Sequence, residues 1–379
     1  MIETYLNDSH RAFRETCRRF ADREIRPYAE KWEEAHEFPR ELYAKAGAAG
    51  LLGVMFPSAY GGGDGDLFHG IVMAEALLTG GSTGTFIGLN SLGIALPPIF
   101  ILGNEEQKRR FVPPVLRGEK IAALAVTEPG TGSDVAGVQT RAVREGDSYV
   151  LNGTKMFITS GVRADQVTVL ARTGPDPHGG LTFFVVDKSS PGYSVSRALR
   201  KTGWWASDTG ELVFDNVRVP VENRLGEEGS GFVALMQNFQ GERISISVIA
   251  TASADLALQE SIAYAKERKA FGKPISAFQV TRHKLAHMAT LVNAAKATTY
   301  SVAERVRRGE YIVKEVSMAK NFTCDVATQV CYDAVQIFGG MGYMRETLVE
   351  RLSRDVRILP IGGGTTEIMN EIIAKLLNL

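Results

Sequence analysis

Val126-Thr127-Glu128-Pro129-Gly130-Thr131-Gly132-Ser133-Asp134, followed by Lys155-Met156-Phe157-Ile158-Thr159, decides how this chain reads. The first run sets two glycines, a proline, two threonines and a serine between apolar, strand-like segments. A loop of that composition turns sharply, lets backbone N–H groups approach a ligand and offers it hydroxyls. The second run ends a strand with a phenyl ring and a hydroxyl two residues apart, so strand alternation points both the same way. A loop suited to a pyrophosphate thus stands beside a ledge suited to a flat ring. Together they predict a cofactor site.

Around this pair the texture of the chain changes twice. From residue 10 to about residue 118 the apolar spacing is helical, with stops at Gly50, Gly61-Gly62-Gly63 and Gly103. Residues 67–78 and 87–102 are apolar enough to predict buried helices. From residue 121 to about 225 short β-rich runs take over, at 149–151, 166–170, 182–186 and 211–214. Turn signals such as Glu145-Gly146-Asp147 and Asn152-Gly153 separate them. After Gly229 the helical period returns and continues to Leu379. The expectation is an α+β multidomain chain, helical over 1–120, β over 121–226 and helical again over 227–379.

The 43 basic and 43 acidic residues cancel, which argues against nucleic acid or an anionic membrane as the main partner. No apolar run reaches the roughly 18 to 20 residues expected of a membrane helix, and Met1-Ile2-Glu3-Thr4-Tyr5 lacks a secretion-signal pattern. Cys17, Cys324 and Cys331 are too few for a disulfide framework. On one helix the last two would stand about 10.5 Å apart along its axis, beyond the roughly 7 Å a disulfide spans. A reduced, cytoplasmic protein is expected.

A helix is predicted from Gly231 to about Arg268, with Leu235, Phe239, Ile246 and Ile249 on its apolar stripe. Glu242 falls on that stripe, three residues after Phe239 and four before Ile246. A carboxylate there is costly unless paired or used. It is either half of a buried ion pair or a base whose pKa burial has raised. Gly241 beside it fits close approach of a ligand and a tight helix crossing equally well. Further on, Gly362-Gly363-Gly364-Thr365-Thr366-Glu367 opens a helix. Thr365 or Thr366 is a natural N-cap, Glu367 suits the positive end of the dipole, and free N–H groups there can bind an oxyanion. No lysine follows the glycines, so this is not a phosphate loop of the Walker type.

Residues 126–134, 155–159, 267–272 and 336–343, with Arg354-Asp355, resemble the motifs of the acyl-CoA dehydrogenase family. They stand in that family's order and spacing, and the similarity spans essentially the whole chain. The resemblance implies an N-terminal helical domain, a middle β-barrel-like domain and a C-terminal four-helix bundle. It places FAD between the last two domains and across a dimer interface, within a homotetramer built as a dimer of dimers. On matching positions it implies that Val126, Thr127, Gly132 and Ser133 line FAD and acyl-CoA. Phe157 would pack on the isoalloxazine with Ile158 alongside, and Thr159 would offer its hydroxyl to flavin N5. Arg268, Phe271 and Gln279 would meet the FAD of the neighbouring subunit, with Gln336 and Gly340 beside them. Thr365 and Glu367 would contact FAD where the last helix opens.

Many members carry a Tyr-Glu-Gly-Thr phrase whose glutamate is the catalytic base, where this chain has Gly362-Gly363-Gly364-Thr365. Gly363 cannot take a proton. The long-chain and isovaleryl-CoA members place the glutamate on the earlier helix before an arginine, and Glu242-Arg243 matches them. The resemblance therefore implies FAD-dependent α,β-dehydrogenation of an acyl-CoA to the trans-2-enoyl-CoA. Glu242 would be the base, the Gly363 N–H would lie on the thioester carbonyl, and Ser133 and Arg243 would face the substrate. Electrons would pass to an electron-transfer flavoprotein. An oxidase returning electrons to oxygen and a non-catalytic flavin- or CoA-binding relative are the alternatives.

Three features stand outside the motifs. Trp204-Trp205 departs from the usual aliphatic-then-basic pair and either reshapes the CoA entrance or packs a domain seam. His283 and His287 lie four apart, but no third ligand accompanies them, and no metal is expected. Residues 86–96 are expected to floor the acyl pocket, with Gly88 and Gly93 leaving room and Leu89 and Leu92 filling it.

Overall fold

A computed structural model describes residues 2–379. The N-terminal region is helical, and its first helix, Asp8–Phe20, is capped by Asn7 with His10 answering from the third position. Helix Leu67–Leu78 is capped in the same way by Asp66 and His69. The two boxes lock together, His10 Nε2 lying 2.8 Å from Asp66 Oδ1 and Ser9 Oγ 3.0 Å from His69 Nε2. His10, Asp66 and His69 also bring potential metal-ligand atoms within 4.8 Å of one another. Capping already engages both rings, with Asn7 N–H on His10 Nδ1 and Asp66 N–H on His69 Nδ1.

The helix predicted over residues 87–102 is instead interrupted. The chain forms Thr83–Leu89, Leu92–Ala95 and Pro97–Leu102, with Asn90 closing the first helix and a proline opening the last. Proline has no N–H to continue a helix, but it suits a first turn. The expectation that no stretch is apolar enough to span a membrane is also corrected. Thr83–Leu102 reaches a mean hydropathy of 1.8 in its best window. Here it is broken and packed inward, with Phe86, Leu89, Leu92, Leu96 and Ile99 in the core.

Eight strands follow: β1 Ala122–Ala125, β2 Arg141–Glu145, β3 Ser148–Thr159, β4 Gln166–Arg172, β5 Leu181–Asp187, β6 Tyr193–Ala198, β7 Thr209–Pro220 and β8 Arg224–Leu225. They form one sheet in the order β6-β7-β3-β2-β4-β5-β8, with β1 pairing parallel to β4. Strand alternation divides the sheet's residues between two cores. Val167, Val169, Ala171, Phe184 and Val186 pack within the sheet. Leu170, Leu181, Phe183 and Val185 join the helical core. On that second face Thr168 Oγ1 donates to Ala95 O at 2.9 Å and Gln166 Nε2 donates to Phe111 O at 3.1 Å. The sheet is thereby tied to the N-terminal helices by hydrogen bonds as well as apolar contact.

The remainder is a helical bundle of Gly231–Glu267, Gln279–Arg307, Val313–Phe338 and Thr366–Leu376, with the short Leu348–Asp355 between the last two. Glu267 ends the long helix one residue short of the expected limit, and Arg268 turns into extended backbone.

Candidate active site

The 126–134 and 155–159 runs meet through a buried ion pair. Lys155 Nζ lies 2.9 Å from Glu128 Oε1 and donates to Val126 O at 2.8 Å. Glu128 also accepts from the N–H groups of Gln139 (2.8 Å) and Thr140 (2.9 Å). Burial alone would raise the Glu128 pKa, but Lys155 and these donors outweigh it and hold the carboxyl below its ordinary value. Met156 N–H donates to Thr127 O at 2.8 Å and closes the seam. The base of the loop is thus fixed, while Gly130, Gly132, Ser133 and Asp134 stay exposed. A Cβ at Gly130 or Gly132 would meet nothing within 4 Å, so this rim is open to a ligand.

β3 exposes the Phe157 ring by an irregular route. Its register against β7 shifts between Lys155 and Ile158, and Phe157 adopts a left-handed φ of 62°. That conformation costs roughly 1–2 kcal/mol for a side chain of this kind. It leaves the Phe157 ring 63% exposed, an unusual setting for a phenyl group on a buried strand. Thr159 is half-buried opposite Thr209. The Ile158 side chain is 2% exposed within the sheet's core, so it offers a cofactor its backbone alone. Val126 is likewise buried and presents backbone.

Glu242 sits at the wall of an apolar cavity of about 410 Å³. One side of the cavity is the long helix, from Gln237 to Val248, and the other is formed by residues 51–57, the Leu67–Leu78 helix and residues 86–101. Burial raises the Glu242 pKa to about 7 despite the opposing charges of Arg243 and Lys320. The ion-pair alternative falls short, because among the described residues no cation lies within 4.0 Å of the Glu242 carboxyl. Gly241 lines the cavity, and a Cβ there would touch nothing within 4 Å. Room for a ligand, not a helix crossing, explains that glycine.

The glycine loop faces the same carboxyl. Gly363 and Gly364 have φ of 62° and 97°, and a Cβ on Gly363 would strike Ile246 and lie 3.5 Å from Glu242 Cδ. Residue 363 and Glu242 therefore address one point in space from two elements. Gly362 N–H donates to Ile358 O and Thr366 N–H to Pro360 O. Among the described residues, the N–H groups of 363–365 between them have no backbone acceptor. Thr365 caps the last helix, accepting from Ile368 N–H at 3.3 Å, and Glu367 is exposed beside it. Arg243 is buried with Nε 3.4 Å from Gly363 O, so it is not a surface cation. Lys320, which sequence reasoning passed over, donates to Gly364 O at 2.7 Å.

The pocket floor differs from expectation. Phe86, Leu92 and Gly93 line the cavity, but a Cβ on Gly88 would sit 2.6 Å from the Phe38 ring. Gly88 makes room for a core phenylalanine, and Leu89 borders a separate small void. At the cavity's outer end Met55 and Ile101 are both lining and solvent-exposed.

The other predicted residues lie elsewhere. Arg268, Phe271 and Gln279 follow the far end of the long helix, about 39 Å along its axis from Glu242. They are exposed, Phe271 at 94%, as are Gln336 and Gly340. One chain does not bring them to the Glu242 cavity. Arg354 pairs with Glu350 at 2.6 Å and stacks 3.9 Å from the Trp205 ring, while Asp355 accepts from Trp204 N–H at 2.6 Å. The tryptophan pair therefore packs the seam between sheet and bundle.

A raised-pKa carboxyl on an apolar cavity, an open glycine loop and a bare aromatic ring suit an enzyme that holds a flat cofactor. The comparisons give its lineage. The acyl-CoA dehydrogenase N-terminal, middle and C-terminal domains match residues 7–119, 123–217 and 229–377. The chain is 42% identical over 366 residues to an acyl-CoA dehydrogenase of Bacillus subtilis, covering 96% of each. It is 37% identical to the caffeyl-CoA reductase-Etf complex subunit CarC of Acetobacterium woodii, over 98% of this chain and 99% of the other. A crystal structure of a probable acyl-CoA dehydrogenase from Mycobacterium abscessus superposes with a TM-score of 0.97 at 51% identity, over 98% of this chain and 100% of that one. The chain belongs to the acyl-CoA dehydrogenase family. It is an FAD-dependent oxidoreductase acting on CH–CH groups. The bare Phe157 ring suits the flat part of FAD, and the open rim at Gly130 and Gly132 suits its pyrophosphate.

Proposed function

We propose that Glu242 is the base that removes the α-proton of a fatty acyl-CoA, giving the trans-2-enoyl-CoA. The observation that carries this reading is the place of the Glu242 carboxyl, on the wall of an apolar cavity and 3.5 Å from where a Cβ on Gly363 would stand; burial there pushes its pKa up to about 7. A base poised near neutrality is ionised enough to act and basic enough to pull. The Gly363 N–H, with Gly364 and Thr365 N–H beside it, would hold the thioester oxygen and steady the negative charge that develops there. Val126, Thr127, Gly132, Ser133, Phe157, Thr159, Thr365 and Glu367 would hold the cofactor, and Ser133 and Arg243 would face the acyl-CoA. FAD, when bound, supplies the acceptor for the hydride leaving the β-carbon.

The cavity lining supports an uncharged acyl group. Among the described residues that line it, Glu242 is the one ionisable group, and the polar remainder is Asn90, Gln237, Asn238 and Ser245. A second carboxylate on the acyl chain would find no cation there. An electron-transfer flavoprotein is the acceptor we propose, supported by the Etf complex that the Acetobacterium relative's name records. Exposed Phe271, Tyr343 and Met341 near the bundle's end support a homotetramer in which Arg268, Phe271, Gln279, Gln336 and Gly340 reach a neighbour's cofactor.

Anaerobic titration of the holoenzyme with straight, branched and dicarboxylic acyl-CoA thioesters tests this reading at the flavin band. Fatty acyl-CoA should bleach it, glutaryl-CoA should not, and an electron-transfer flavoprotein should restore the colour. Bleaching by glutaryl-CoA alone would contradict the substrate class, and stoichiometric peroxide from oxygen would favour an oxidase.

A further inference from the structure

Lys320 lies on the Val313–Phe338 helix in a stripe shared with Val316, Ala319, Thr323, Cys324 and Ala327, all buried. Its own side chain is fully buried. An ammonium in such a place is costly unless it serves something. Among the described residues it is in no ion pair, and its side-chain hydrogen bond runs to Gly364 O at 2.7 Å. Arg243 holds the preceding carbonyl, Gly363 O, from the opposite helix at 3.4 Å. Two cations therefore grip two consecutive carbonyls, those of Gly363 and Gly364, the two left-handed glycines of the loop. Across a trans peptide the next N–H points opposite to the carbonyl. Fixing Gly363 O and Gly364 O thus also aims the N–H groups of Gly364 and Thr365.

We propose that Lys320 is a positioning residue for the reaction, setting the glycine loop that receives the thioester and contributing the cationic field in which Glu242 works. The inference rests on the dehydrogenation proposed above. The charged groups acting on Glu242 are Arg243 on its own helix and Lys320 on the facing one. Lys320 in turn faces Arg243, Glu242 and Cys324. Removing its charge disfavours the Glu242 carboxylate, so the pH at which the base ionises must rise.

Lys320→Met keeps the side chain's length and removes charge and donor; Lys320→Gln removes the charge and keeps a shorter donor. Each holoenzyme is checked for FAD content and then reduced anaerobically by a fatty acyl-CoA in stopped flow from pH 5.5 to 9. The expected result is retained FAD, a maximal reduction rate lowered at least about tenfold for Lys320→Met, and less loss for Lys320→Gln. In both variants the acidic limb of the rate profile should move up by about half a pH unit or more. An unmoved limb in either variant that retains FAD would overturn the proposal. Loss of FAD from both would also overturn it, assigning Lys320 to folding alone. A wild-type enzyme that no acyl-CoA reduces would instead sink the dehydrogenation reading.

Discussion

Glu242→Gln should stabilise the enzyme above neutral pH while disabling it. Burial lifts the Glu242 pKa from 4.5 to about 7. At about 1.36 kcal/mol per pH unit, that gap is worth roughly 3 kcal/mol at most. The sign follows from the raised value. Below about pH 4.5 the carboxyl is neutral in folded and unfolded chains alike and contributes nothing. Between about 4.5 and 7 the folded protein holds the proton that the unfolded chain has released, so stability falls as pH rises. Above about 7 the folded protein carries a charge its cavity disfavours, and the full cost is present. Glutamine keeps the shape and removes that cost. Thermal melts of wild-type and Glu242→Gln holoenzymes at pH 5 and pH 8 read it directly. The variant should melt a few degrees higher at pH 8, with the difference shrinking toward zero at pH 5. A variant that melts lower at pH 8, or differs equally at both values, would refute the buried-base argument.

Other outcomes follow from the same geometry. The rate of flavin reduction in the wild type should rise along a limb centred near pH 7, because only the Glu242 carboxylate can accept a proton; a flat profile from pH 5.5 to 8.5 would deny it that role. Lys155→Met strands Glu128 in a buried setting and should cost about 3–5 kcal/mol, read as a lower melting temperature with loss of FAD. Met55→Ala opens the outer end of the cavity and should shift kcat/KM toward longer acyl chains, worth up to about 0.8 kcal/mol per added methylene that becomes buried. Gly88→Ala should lower the melting temperature by crowding Phe38, at about 1–3 kcal/mol, without moving the chain-length preference.

Residues that break a local pattern are legible in the sequence. Glu242 stood out because it interrupts an apolar stripe, and the helix that bears it ends at Glu267, one residue short of the expected limit. Lys320 breaks its own buried stripe in the same way and is legible by the same criterion. What stayed hidden depends on contacts distant in sequence. Glu128 and Lys155 both lie in the opening runs, yet their pairing across 27 positions requires β3 to lie beside the loop. Gly88 looked like pocket space because nothing local reveals that Phe38 occupies it. The left-handed turn at Phe157 likewise comes from the bulge against β7, which strand periodicity does not record. Residues 87–102 read as one helix because apolar character outweighed Asn90 and Pro97, the two residues that divide it.

The assignment of proton removal to Glu242 is tested most directly by anaerobic mixing of a straight-chain acyl-CoA with wild-type and Glu242→Gln holoenzymes. Bleaching of the flavin should be rapid in the wild type. In the variant the ligand should perturb the flavin spectrum on binding, with reduction slowed by at least about a thousandfold. Bleaching of Glu242→Gln at the wild-type rate would contradict the account.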